Sequence, residues 1–128
     1  MSLLHWLHDQ VRGKYLYITG TSVLGGDVGI AGRTTQGTVT TFGAADATPT
    51  VAAGNLFKTG GADTVTDFDD GIVGQTIRII AAHAYTVTDG APIILNGSAN
   101  FVMAAADTLT LTMFDDQVWQ EVSRMVNL

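Results

Sequence analysis

Four aspartates gather before a glycine in the middle of the chain: Asp63, Asp67, Asp69 and Asp70 precede Gly71. Carboxylate oxygens in such a loop could bind Ca²⁺, which takes about six to eight oxygen ligands. Gly71 stands where a third alternating ligand would be needed, and the distal glutamate of a calcium loop is missing. The spacing therefore favours a solvated turn, with a calcium site as the alternative, and no metal is predicted.

Two histidines, His5 and His8, are spaced so that both would lie on one face of a helix. A protein zinc site takes at least three side-chain ligands. No third ligand is nearby, because His83 stands far away among small residues. The pair is interpreted as polar residues beside an apolar stripe, and zinc binding is the alternative.

Glu121 is the only glutamate, and most aspartates fall in predicted turns. Glycoside cleavage needs two acids facing each other across a groove, one with a raised pKa. No serine stands in a Gly-x-Ser-x-Gly elbow, and Gly25-Gly26 and Gly60-Gly61 lack the lysine and hydroxyl residue of a phosphate loop. The sequence therefore predicts neither a catalytic site nor a cofactor.

The composition narrows the classes of partner. Charged residues make up 14% of the 128 residues, and the net charge is −6, whereas an average soluble domain has roughly 25% charged residues. The six basic residues are scattered, which argues against nucleic-acid binding, and the negative charge disfavours anionic membranes. The chain has no cysteine, and we expect neither a signal peptide nor a membrane span.

Apolar residues at helical spacing mark the N-terminus, and Gly13 ends the pattern. The stripe consists of Leu3, Leu4, Trp6, Leu7 and Val11. A helix of about ten residues is marginal alone. Segment 1–13 is therefore predicted to pack on its own domain or, alternatively, to anchor the chain to a larger assembly.

Residues 14–128 are predicted to form a single all-β domain, because short apolar runs alternate with glycine-rich turns. The predicted extended units are 15–19, 27–32, 38–42, 55–59, 64–68, 76–80, 85–88, 93–95, 101–103, 108–113 and 118–124. The last two form a hairpin around Asp115-Asp116-Gln117, and 44–54 is a loop. The spacing favours a short-stranded β-solenoid or a sandwich-like domain.

The terminal hairpin supplies the candidate trimer or core face, which consists of Leu109, Leu111, Met113 and Trp119. Short strands leave unpaired edges, and such edges invite association. For Trp119 we expect a place in the core or in a subunit contact, with stacking on a sugar as the alternative.

Seven segments follow one another in a fixed order: TPTV (48–51), GNLFKT (54–59), VTDF (65–68), GQTI (74–77), NFVM (100–103), DTLTL (107–111) and VWQEVSR (118–124). Together they resemble a module of bacteriophage tail spikes and tail fibres. In that family such segments look like the β-solenoid or end-cap parts of homotrimeric appendages. The first part of the chain is not covered by the resemblance.

The resemblance implies a non-enzymatic structural protein of the virion that forms a homotrimer on the phage particle. Its place would be in a tail fibre or spike, or on the capsid as a decoration protein or head fibre. The chain is shorter than a spike with both a particle-binding head and a glycan-cleaving body. Its expected partners are copies of itself and other virion proteins. The alternative is a carbohydrate-binding or carbohydrate-cleaving receptor-binding module that contacts a host surface glycan.

Overall fold

The computed structural model describes residues 19, 20, 23 and 25–128, and the chain divides into two compact units, 1–34 and 35–128. The described residues of the first unit are exposed and form no strand. The extended unit predicted at 27–32 is therefore not a strand. The predicted helix and anchor of segment 1–13 lie outside the described residues, as do all but Thr19 of the strand predicted at 15–19.

The second unit is nearly all β, which confirms the all-β character of the predicted fold. Its strands are β1 (Val39–Thr41), β2 (Leu56–Lys58), β3 (Asp63–Val65), β4 (Thr76–Ile80), β5 (Tyr85–Val87), β6 (Ile93–Ile94), β7 (Phe101–Met103), β8 (Thr108–Asp115) and β9 (Val118–Met125). One 3₁₀ turn, Asn96–Ser98, lies between β6 and β7. Most strands have three to five residues because glycines, aspartates and prolines interrupt the apolar runs.

Two mixed sheets contain these strands. The large sheet has the order β1-β2-β4-β8-β9-β6, and the small sheet has the order β3-β5-β7. Strands β1, β2 and β4 are parallel, whereas β8 pairs antiparallel with β4. In the small sheet β3 and β5 are parallel, and β7 is antiparallel to β5.

The chain alternates between the sheets from β2 to β5. Leu56 of β2 pairs with Arg78 of β4, and Asp63 of β3 pairs with Tyr85 of β5. Both pairings join residues 22 positions apart in the sequence. A further parallel contact, the isolated bridge between Thr50 and Asp69, lies outside both sheets. Segments 56–65 and 78–87 therefore run side by side in parallel with the same spacing in both sheets.

The predicted terminal hairpin is confirmed, although β8 continues beyond the alternating Thr-apolar run. Strands β8 and β9 pair antiparallel, and the pairing shifts between Met113 and Asp115. Phe114 is the extra residue at this shift, so it interrupts the alternation without ending the strand. Gln117 takes a φ of +56° at the end of the turn, as in hairpins whose turn is followed by one left-handed residue at a bulge.

The core lies between the inner faces of the two sheets. Leu109, Leu111, Met113 and Trp119 are all 0% exposed within a single chain. The four residues of the candidate trimer or core face are therefore buried within one chain, without a second copy. Phe42 stacks on the Phe57 ring at 4.7 Å between centroids, which extends the core beneath β1 and β2.

Candidate functional site

Three aspartates near Gly71 each accept a hydrogen bond from a different donor. The Asp67 carboxylate accepts from the Phe68 N–H at 2.8 Å, and the Asp70 carboxylate accepts from the Thr50 hydroxyl at 2.6 Å. Asp63 accepts from the Thr64 N–H at 2.8 Å. Among the described residues, no three histidine, cysteine or acidic side chains come together as metal ligands do. His5 and His8 lie outside the described residues.

Glu121 forms a structural ion pair at the end of the core. Its carboxylate accepts from the Arg124 guanidinium and from the Asn96 N–H at 2.8 Å. The guanidinium carbon lies 4.2 Å from the centre of the Phe101 ring, which is cation–π distance. The Arg124 hydrogen bonds hold the pKa of Glu121 below its usual value, whereas a catalytic general acid needs a raised one.

This ion pair makes part of the stability depend on pH. Because the pKa of Glu121 is lower in the folded chain, its contribution is present above the unfolded pKa of about 4.3 and is lost as pH falls through the folded value. We expect Glu121→Gln to lose about 1–2 kcal/mol of unfolding free energy at pH 7. The difference from wild type should shrink on acidification below about pH 4.

Urea unfolding at several pH values measures this difference, and Arg124→Gln is the matched variant. Removing Arg124 eliminates the main cause of the low pKa of Glu121, so its difference from wild type should shrink over the same pH range. Parallel curves for wild type and Glu121→Gln from pH 7 to about pH 3 would contradict a stabilising role for the pair.

Tyr85 is buried within the small sheet, and its hydroxyl has no hydrogen-bond partner among the described residues. Burial raises its pKa, and the neighbouring Asp63 and Asp46 carboxylates raise it further. The phenol therefore stays protonated at neutral pH and does not serve as a base there. Trp119 has no exposed surface, and its indole N–H donates to the Phe68 carbonyl at 3.2 Å. Its ring is not available to stack on a sugar.

The outer side of the large sheet carries a patch that we call the cationic face. It consists of Val39, Leu56, Lys58, Arg78 and Ile80. These residues lie on one side because they flank the inward residues Phe57 and Ile79 along β2 and β4. Val39, Leu56, Arg78 and Ile80 line a shallow, mainly apolar depression of about 220 Å³, and Lys58 lies beside it. Neither Lys58 nor Arg78 forms an ion pair with a carboxylate of the described residues.

A second patch, the acidic corner, combines carboxylates with exposed apolar side chains. It consists of Asp69, Asp70, Ile72, Val73, Phe114, Asp115 and Asp116. Two segments meet here, since the Gly74 N–H donates to the Met113 carbonyl at 2.8 Å and the Met113 N–H donates to the Gln75 carbonyl at 3.0 Å. Ile72, Val73 and Phe114 are 70%, 58% and 61% exposed.

The sequence predicts solvated turns for the aspartates of this corner and does not join them into one surface. The 69–73 and 114–116 segments are far apart in the chain, and only the β4–β8 pairing brings them together. The cationic face had a local signal: Lys58 and Arg78 each stand two positions from an apolar residue in a strand, so each pair shares one face.

No protein-family model, curated protein or solved structure matches this chain. The described part of the chain contains no helix that is long and apolar enough to cross a membrane.

Proposed function

We propose that this protein is a non-enzymatic structural component of a bacteriophage virion, built as a short β-solenoid that forms a homotrimer on the particle. The observation that carries the proposal is the common 22-residue spacing of the β2–β4 and β3–β5 pairs. Chain passes that stack on one another in parallel are the defining feature of a solenoid. The β1–β2 pair adds a shorter parallel step, in which Val39 pairs with Leu56, 17 positions later. The likeness of segments 48–124 to tail spike and tail fibre modules supports the same assignment.

The antiparallel strands fit the end of such a solenoid. A solenoid must cover its last turn, because an open end exposes apolar side chains and unpaired strand edges. Here β8 covers the edge of β4, and β7 covers the edge of β5. The hairpin of β8 and β9 places Trp119 across the interior. Strands β7 to β9 therefore act as the end cap of the proposed solenoid.

The open edge strand of the second unit favours association of copies. Strand β1 has three residues and forms one edge of the large sheet, and Val39 on it is 54% exposed. Apolar side chains beside an open edge favour pairing with another chain. Attachment of the trimer to the particle by segment 1–13 stays a prediction from the sequence.

Multi-angle light scattering tests the homotrimer. The expected mass is about three times the chain mass of 13.4 kDa, unchanged on dilution to micromolar concentration. A mass of one chain under these conditions would overturn the proposed assembly. Electron microscopy of native particles, compared with particles lacking the protein, tests the virion assignment: extra density on the tail or capsid is expected, and identical particles would contradict it.

Glycan binding is the second candidate, and one groove favours it. This groove borders Asn55, Asp70 and Gln75 and has a volume of about 620 Å³. However, the Asn55 amide already donates to the Thr76 carbonyl, and the Gln75 amide donates to the Val51 and Gly54 carbonyls. These amides hold neighbouring turns together, so the structural role remains the better-supported function.

A further inference from the structure

We infer that the cationic face of one copy binds the acidic corner of the next copy, and that this head-to-tail contact closes the ring of three. The inference rests on the proposed homotrimer and goes further by naming its two surfaces. It commits to a second copy of this chain as the occupant of the cationic face.

The charges of residues 35–128 indicate which partner suits the cationic face. Residues 35–128 contain nine aspartates and one glutamate but only three cationic side chains, Lys58, Arg78 and Arg124. Arg124 is paired with Glu121, and the other two lie together on the cationic face. A partner for this face must supply carboxylates, and a second copy supplies four of them at its acidic corner. Opposite charges placed in this way fix the register of an interface.

The apolar parts of the two patches also match. The cationic face has a depression bordered by Val39, Leu56 and Ile80, whereas the acidic corner carries exposed apolar side chains such as Ile72 and Phe114. Inserting apolar side chains into a depression removes both surfaces from water, which stabilises the contact. The flanking carboxylates would then meet the basic residues at its rim.

Two copies can meet through a two-fold contact between identical surfaces or through a head-to-tail contact between different surfaces. A two-fold contact centred on the cationic face would bring Lys58 and Arg78 close to their own symmetry mates. Contact between unlike patches avoids this repulsion, and such head-to-tail contacts form closed rings when the rotation allows. In a ring of three, each copy uses both patches, so no patch of either kind stays uncovered.

Charge reversal tests the contact. The variant Lys58→Glu/Arg78→Glu should weaken assembly at least about 100-fold, seen as a shift of the trimer-to-monomer midpoint in light scattering across a dilution series. The variant Asp69→Lys/Asp115→Lys should weaken it similarly. A chain with all four changes carries carboxylates on the former cationic face and two lysines at the corner, so it should regain trimer relative to either double variant.

Controls separate loss of contact from loss of fold. Thr64→Glu/Val102→Glu adds two carboxylates to the outer face of the small sheet, where Thr64 and Val102 are exposed, and should leave the trimer unchanged. Circular dichroism should show the same strand content for every variant. A wild-type monomer would refute the proposed trimer itself. A trimer that survives both charge reversals, or a four-change chain that stays monomeric although folded, would refute the contact alone.

Discussion

Replacing Gly60 with alanine is expected to lower the free energy of unfolding by about 3 kcal/mol or more. A methyl group on Gly60 would lie 1.9 Å from the carbonyl oxygen of Phe42. That oxygen cannot easily move, because the Phe42 N–H donates to the Lys58 carbonyl at 2.9 Å and the Phe42 ring stacks on Phe57. Relief of the clash would separate β1 from β2 and open the core beneath them.

Gly43→Ala is the matched control, since it makes the same chemical change beside the same strand. The nearest heavy atom to a methyl group there is 4.0 Å away, so we expect a change within about 0.5 kcal/mol. Urea unfolding followed by circular dichroism, at one protein concentration for all variants, measures both effects. Equal midpoints for the two alanine variants would show that β1 does not approach Gly60 as closely as described.

Truncating Trp119 to alanine should cost about 3–5 kcal/mol, the usual range for removing a buried aromatic side chain. The ring is 0% exposed, and it meets Phe68 edge-on at 6.3 Å between centroids. It also lies against Gly71, where a methyl group would come within 2.4 Å of the indole. Small domains are stable by only about 5–15 kcal/mol, so this loss is a large fraction of the free energy of unfolding.

Two further variants separate volume from hydrogen bonding at this position. Trp119→Phe retains an aromatic ring but leaves the Phe68 carbonyl without its donor, so the loss should be smaller than for alanine and still exceed about 1 kcal/mol. Val122→Ala on the same strand changes an exposed side chain and should stay within about 0.5 kcal/mol. An alanine variant at 119 with wild-type stability would mean that the proposed end cap is not part of the folded core.

The positions of the strands within residues 35–128 could be predicted from the sequence alone. The Thr-apolar alternation along β8 predicts one inward and one outward face, and the structure buries Leu109 and Leu111 accordingly. The Asp115-Asp116-Gln117 segment predicts the final turn. These predictions succeed because period-two patterning and turn chemistry act over a few neighbouring residues.

Pairing between distant strands was decided only by the tertiary structure. The 22-residue parallel spacing has no matching sequence repeat, because each pass needs only apolar residues at inward positions and tolerates different residues outside. Buried Asp107 illustrates the same limit: its carboxylate accepts from the Ala104 and Asn127 N–H groups, and the second donor is distant in sequence. Likewise, the acidic corner exists only because β4 pairs with β8, and Gly60 is required only because Phe42 lies above it.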